Sequence, residues 1–317
     1  MGEARGHHFV PRCYLNNFAI KEKIFCVDVK AATHRVVSTK KVAKKRDFNR
    51  IESDALPSDA LETAYGAFEG ELAPVLKALS EGGAITEDDF SYILTLVGLL
   101  AVRNPRHRNT FSDFQDDVRH QMLAVITSTK ERWERHLAGA RRNGFADGIP
   151  DVPYEEIRAS IQRRDFKLVT TTHEHAQIEI SVVDSLINNL AKRSWRWVRA
   201  RPTAGMFVTC DHPVCLNWIK RSPGMIPIGY GLAGTSVFFP VAPTLGLVGE
   251  YDGRTDDLDA DLFAVAGFNR RVINNADRQV FAKDDSFHVF DEVRLFNVGE
   301  FLDRVREVLR TEQNGQG

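Results

Sequence analysis

From residue 61 the chain places apolar side chains at spacings of three and four: Leu61, Ala64, Phe68, Leu72, Val75, Leu76 and Leu79. That period lines one side of a helix, and Gly82-Gly83 ends it. A second helix is predicted from Thr86-Glu87-Asp88-Asp89, close to a capping box with Asp in place of Glu. Its body, FSYILTLVGLLAV, is apolar nearly all round and is expected to be buried. It should stop at Arg103-Asn104, because Pro105 disfavours helical geometry in the residue before it. A third, long amphipathic helix is predicted from about 106 to 142, and NGFADGIPDVP at 143–153 reads as a loop.

Other stretches carry strand patterns. IFCVDVK at 24–30 and RVVS at 35–38 are β-branched runs joined by a short polar turn, the signature of a hairpin. After a short helix at YEEIRASIQRR and a helical pattern over 173–193 come WRWVRA, MFVTCD, TSVFFPVAP and LGLVGEY, then a helix near 257–276, RQVFA, and a closing helix FLDRVREVLRTE. Runs of strands and runs of helices, without strict alternation, predict an α+β fold. The expected architecture is a single domain over 1–317, with a largely antiparallel sheet from 1–54 and 165–317 and a helical insertion at 55–164. No GxGxxG or GxxxxGK[ST] loop is present, and Gly229-Tyr230-Gly231 lacks a strand-loop-helix setting.

Charge and composition narrow the partners only slightly. Net charge is −1 with 43% hydrophobic and 27% charged residues, so no global field favours nucleic acid or membrane, and attraction must come from local patches. No apolar run approaches membrane-spanning length. The opening MGEARGHHFVPRCYLNNFA has no apolar h-region, and Gly6 stands where myristoylation favours Ser or Thr. Cysteines at 13, 26, 210 and 215 form no CxxC, which points to reduced thiols and a cytoplasmic protein.

Three groups of residues could carry chemistry. His7 and His8 are adjacent imidazoles, able to supply a metal ligand and a general base near neutral pH. HHxxP resembles the start of an HNH nuclease site, although only six residues precede His7, too few for the strand hairpin of that site; the alternative is that His8 packs a structural turn. Asp211 and His212 fall where an apolar strand gives way to Pro213, a position suited to catalysis or to ligation of Mg²⁺ or Mn²⁺. The plainer reading of Asp211 is an Asx-turn. Arg103, Arg106 and Arg108 surround a helix junction; their forks suit phosphate, or they serve a helix dipole. Lys40 to Arg46 is read as a solvated charge run, Trp195, Trp197 and Trp218 as packing, and His173-Glu174-His175 lacks the spacing of a zinc motif.

Five segments in order resemble the domain of unknown function 4238 family. HHFVPRCYLNNFA is similar to H-x-x-P-x-x-Y-L-x-x-F, with His8, Pro11, Tyr14, Leu15 and Phe18 in register. RNPRHR at 103–108 resembles R-T-P-x-x-R, and FVTCDHPV at 207–214 resembles F-x-T-S-D-x-P-V. FPVAP at 239–243 and FNRRVINNADRQVFA at 268–282 complete the set. The resemblance implies a bacterial setting among mobile or defence-associated genes, and a weak pointer to nucleic acid. The resulting expectation is a metal-dependent phosphodiester hydrolase, nuclease-like, with His8, Asp211, Arg103 and Arg106 as catalytic residues. His7, His8 and Asp211 would hold the ion, and Arg12, Tyr14, Arg108, His212 and Asn275 would contact substrate. The alternatives are a sensor module that binds a nucleotide, nucleic acid or partner without turnover, and an ion-paired network that only fixes the fold.

Overall fold

The computed structural model describes residues 5–145, 152–220 and 224–314. Gly2, the middle of the 143–153 loop and the far end of the chain lie outside them. The first elements are β1 (Gly6–His8), α1 (Arg12–Asn17), β2 (Lys23–Asp28), β3 (Thr33–Ser38), β4 (Lys44–Arg46), α2 (Ala60–Ser80) and α3 (Glu87–Val102). Helices α4 (Pro105–Ile126), α5 (Lys130–Arg142), α6 (Tyr154–Arg163) and α7 (Thr172–Ala191) follow. The chain then runs through β5 (Ser194–Ala200), β6 (Thr209–Cys210), β7 (Cys215–Trp218), β8 (Thr235–Ala242), β9 (Leu245–Glu250) and β10 (Leu258–Ala260). It ends with α8 (Leu262–Asn275), β11 (Gln279–Ala282), β12 (His288–Phe290), β13 (Leu295–Asn297) and α9 (Val298–Asn314). The fold is mixed α+β. Among the described residues no helix is long and apolar enough to cross a membrane, and all four cysteines carry free thiols.

Two compact units are present: Met1–Asn104 with Ala176–Gly317, and Pro105–His175. The first holds a five-stranded sheet, β10-β5-β9-β8-β7, and a four-stranded sheet, β3-β2-β11-β6. Every described pair is antiparallel except β10 with β5. Alternation along the strands divides the core into two. Ile24 and Cys26 of β2, Val237 and Phe239 of β8 and Phe281 of β11 join a cluster with α1, α2 and α3. Their neighbours Phe25, Val27, Phe238, Val280 and Ala282 join a second cluster with α8. Side chains of successive strand residues point to opposite faces, so these strands are covered on both sides and read as unbroken apolar runs. Helices α2 and α3 therefore belong to this unit, burying Leu72, Leu76, Ile93 and Val97 in the first cluster. The boundaries between the two units fall at Asn104/Pro105 and His175/Ala176.

The predicted capping box is formed: Thr86 Oγ1 accepts from Asp89 N at 3.1 Å, and Asp89 Oδ2 accepts from Thr86 N at 2.9 Å. The 24–38 hairpin is present as β2 and β3. In the second unit, the single helix expected over 106–142 is two. Thr129 accepts from Arg132 N at 3.2 Å and starts α5 afresh, because a threonine cap satisfies an amide left open at a helix start. The segment after α6 is held to α4 by polar contacts: Asp116 accepts from Leu168 N at 2.7 Å, and Ser112 Oγ lies 3.0 Å from His175 Nε2.

Candidate functional site

Strand β1 pairs with β4, His7 opposite Lys45 and His8 opposite Lys44. Strand alternation sends the two imidazoles to opposite faces. His7 is buried, and its Nδ1 accepts from Asn49 N at 2.9 Å. His8 is half-buried and lines a cleft of about 210 Å³ with Arg12, Lys40, Asn49, Glu62, Tyr65, Gly66, Glu69 and Arg103. The tandem histidines therefore do not face one ligand together. Glu62, Tyr65, Gly66 and Glu69 share a face of α2, since residues three and four apart on a helix are neighbours.

Arg103 caps the C-terminal end of α3 and is buried, 3% exposed. Its Nη2 donates to the His8 carbonyl oxygen at 2.7 Å, while Nε and Nη2 donate to Asn49 Oδ1 at 3.3 and 3.2 Å. The guanidinium carbon lies 3.9 Å from the centre of the Tyr65 ring. Asn49 in turn donates from Nδ2 to Glu62 Oε2 at 2.5 Å. At the mouth, Arg12 Nη2 and Lys40 Nζ reach the two oxygens of Glu22 at 2.6 and 3.3 Å. His8 Nδ1 and Arg12 Nε are buried and have no hydrogen-bond partner among the described residues. Buried polar atoms of this kind call for an explanation, and a polar ligand in the cleft supplies one.

The titrating groups are pushed apart. Burial lowers the His8 pKa, helped by the Lys44 and Arg12 cations, and Glu62 and the Val42 carbonyl oppose this only in part. Burial raises the Glu69 pKa against the pull of Arg103, with Glu62 adding to the rise and the Arg12 backbone N–H and cation opposing it. Near neutral pH His8 is thus a free base, and Glu69 keeps a proton to higher pH than an ordinary carboxyl. One acid and one base in a single cleft, beside fixed cations, can move protons in both directions.

The other expected site residues have different tasks. Asp211 does not line this cleft; its carboxylate accepts from the backbone N–H groups of Asp277, Arg278 and Gln279, all at 2.8 Å. Burial raises its pKa against those three donors. Asn275 donates to the carbonyls of His212 and Val214 at 2.6 and 2.9 Å, and His212 is buried. These bonds staple the loop after β6 to the end of α8. Tyr14, expected at the substrate, lies fully buried in the core, stacked on Phe239, with its hydroxyl bonded to Thr209 Oγ1 at 2.6 Å and Pro240 O at 2.5 Å. Arg106 and Arg108 belong to the second unit on α4, where Arg108 is buried. Of the expected set, the structure brings His8, Arg12 and Arg103 together.

No group of three or more His, Cys, Asp or Glu that could hold an ion occurs among the described residues, so His7, His8 and Asp211 do not form the expected ligand set. Sequence reasoning missed Asn49, Glu62, Tyr65 and Glu69. The 62-65-66-69 spacing was the available signal, lying beside the apolar stripe of the same helix; Asn49, in a turn, offered none. No curated protein and no solved structure matches the chain. A family model described as Protein of unknown function (DUF4238) matches residues 6–286, and the chain belongs to that family.

Proposed function

We propose that the His8–Glu69 cleft is an acid–base centre that hydrolyses phosphate esters, in the manner of a small phosphodiesterase or nuclease. The observation that carries this reading is the pairing, within one cleft, of a half-buried imidazole whose pKa is lowered and a carboxyl whose pKa is raised, beside Arg12, Lys40 and Arg103. His8 takes a proton from water as its oxygen attacks phosphorus. Glu69 gives its proton to the departing alkoxide as the ester P–O bond breaks, so that one water is added across the bond. Arg12 and Lys40 meet the charge that develops on the phosphoryl oxygens, and fixed cations of this kind are commonly a large part of catalysis. Arg103 acts as a positioning residue, since its donors already hold the His8 carbonyl and Asn49. Free thiols on all four cysteines support a reducing, cytoplasmic setting.

The test is incubation of the purified chain with labelled RNA, single-stranded DNA and duplex DNA, in Mg²⁺, in Mn²⁺ and in chelator. Cleavage by wild type that falls on the order of a hundredfold in His8→Gln and Glu69→Gln supports the reading. Cleavage that survives chelator further supports an acid–base centre without a required ion. Equal background from wild type and both variants on every substrate removes it. Saturable binding of the same substrates without turnover would leave a sensor module, a reading favoured by the fixed hydrogen bonds of Arg103.

A further inference from the structure

A second groove, of about 620 Å³, lies along α8 and has a different lining. Phe263, Gly267, Phe268, Arg271 and Asn274 line it from the helix, at spacings that keep them on one face. Asn217 of β7 and Phe290 of β12 also line it. Phe263 is 55% exposed for a large apolar ring and meets Phe290 edge to face, centroids 5.4 Å apart. Phe268 is stacked on Phe238 at 4.2 Å, which fixes the floor.

The polar groups around these rings divide into satisfied and unsatisfied. Arg270 pairs with Glu292 at 2.9 Å. Arg271, its neighbour, has no acidic partner among the described residues; its guanidinium carbon sits 5.3 Å from the Phe268 ring centre. The side-chain amides of Asn217 and Asn274 likewise have no protein partner among the described residues. Each amide offers a donor and an acceptor side by side, the pattern that matches the edge of a nucleobase. An exposed aromatic ring offers a stacking surface, and an uncommitted arginine offers a fork for phosphate.

We propose that the groove between α8, Asn217 and Phe290 binds a nucleoside monophosphate, with the base against Phe263 and Phe290, its edge toward Asn217 and Asn274, and the phosphate on Arg271. This site is separate from the His8–Glu69 cleft and does not depend on that cleft being catalytic.

The test is titration calorimetry on the full chain with AMP, GMP, CMP and UMP, and with adenosine and ribose 5-phosphate as probes of base and phosphate alone. Two glycines make the test specific. A Cβ added at Gly267 or at Gly66 meets nothing within 4 Å, so leucine is introduced there to intrude on this groove or on the first cleft, with a thermal melt of each variant to verify that it is folded. Leucine also forms helices more readily than glycine. At least one monophosphate is expected to bind saturably, with Gly267→Leu abolishing binding and Gly66→Leu leaving it unchanged. Arg271→Ala should weaken the monophosphate on the order of tenfold and leave adenosine unaffected. Absence of saturable binding by all four monophosphates overturns the proposal. So does binding that survives Gly267→Leu, and binding lost in Gly66→Leu instead would put the nucleotide in the first cleft.

Discussion

Arg103 Nη2 donates to the backbone carbonyl oxygen of His8 at 2.7 Å, which ties the end of α3 to the strand that presents the cleft imidazole. The bond fixes the His8 backbone at the cleft that Glu62 and Glu69 also line. A guanidinium at a helix C-terminus also meets the partial negative charge of the last carbonyls, so one side chain stabilises the helix end and orients the site.

Lysine should not replace it. Arg103 reaches the His8 carbonyl and Asn49 Oδ1 together while its guanidinium lies over the Tyr65 ring, and an ammonium cannot make that set of contacts. Arg103→Lys is expected to cost about 2 kcal/mol of stability, or roughly 4–8 °C in melting temperature. A thermal melt followed by circular dichroism checks this, and an unchanged midpoint would contradict the assigned role.

Asp211 yields the opposite pattern from a catalytic carboxylate. Asp211→Ala leaves three backbone N–H groups without their acceptor and should destabilise the protein by about 3 kcal/mol. Activity per folded molecule should remain that of wild type at a temperature where both are folded. Urea denaturation with a parallel rate measurement separates the two effects. Wild-type stability with lost activity would restore Asp211 to the site.

These two residues show why the sequence was only partly readable. The motifs that carry the family resemblance are mostly structural: Pro11, Tyr14 and Phe18 seat α1 in the core, and Asp211, Asn269 and Asn275 fasten the 206–214 segment to α8 and the turn after it. A motif marks what the fold cannot do without, and at this chain length that is largely backbone satisfaction. Apolar periodicity located α2, α3 and the β2–β3 hairpin correctly, because the packed face is written in the spacing itself. It could not tell that Glu62 and Glu69 line one cleft with His8, since nothing local in the sequence records which distant strand a polar helix face will meet. The expected single helix over 106–142 failed for a local reason, the recapping at Thr129.

Tyr14 tests the core reading directly. Its hydroxyl bridges Thr209 on β6 and the Pro240 carbonyl on β8, in a fully buried position. Tyr14→Phe keeps the stacking on Phe239 and strands both partners, so a loss of about 1–3 kcal/mol is expected with no change in substrate affinity. Equilibrium denaturation and a binding titration on the same sample would settle it. A variant of unaltered stability but weakened binding would return Tyr14 to the substrate.

Glu69 gives a prediction whose sign depends on pH. Its folded pKa is raised above the ordinary 4.5, chiefly by burial. The fold therefore holds this proton longer than the unfolded chain does. The stability contributed by that preference is whole below the unfolded value and is lost as pH rises through the folded one. Above that point the ionised carboxylate is a standing burden on the native state, and Glu69→Gln, neutral at every pH, removes it. The variant should match wild type near pH 4 and exceed it near pH 8, as roughly half-unit steps of urea denaturation between those limits would reveal. His8 acts in the other sense: its lowered pKa means that the unfolded chain takes up the proton first, so wild type and Glu69→Gln should both lose stability as pH falls below about 6.5. If Glu69→Gln is less stable than wild type at the alkaline end, the carboxylate is ionised and paired in the fold, and the acid assigned to the cleft is withdrawn.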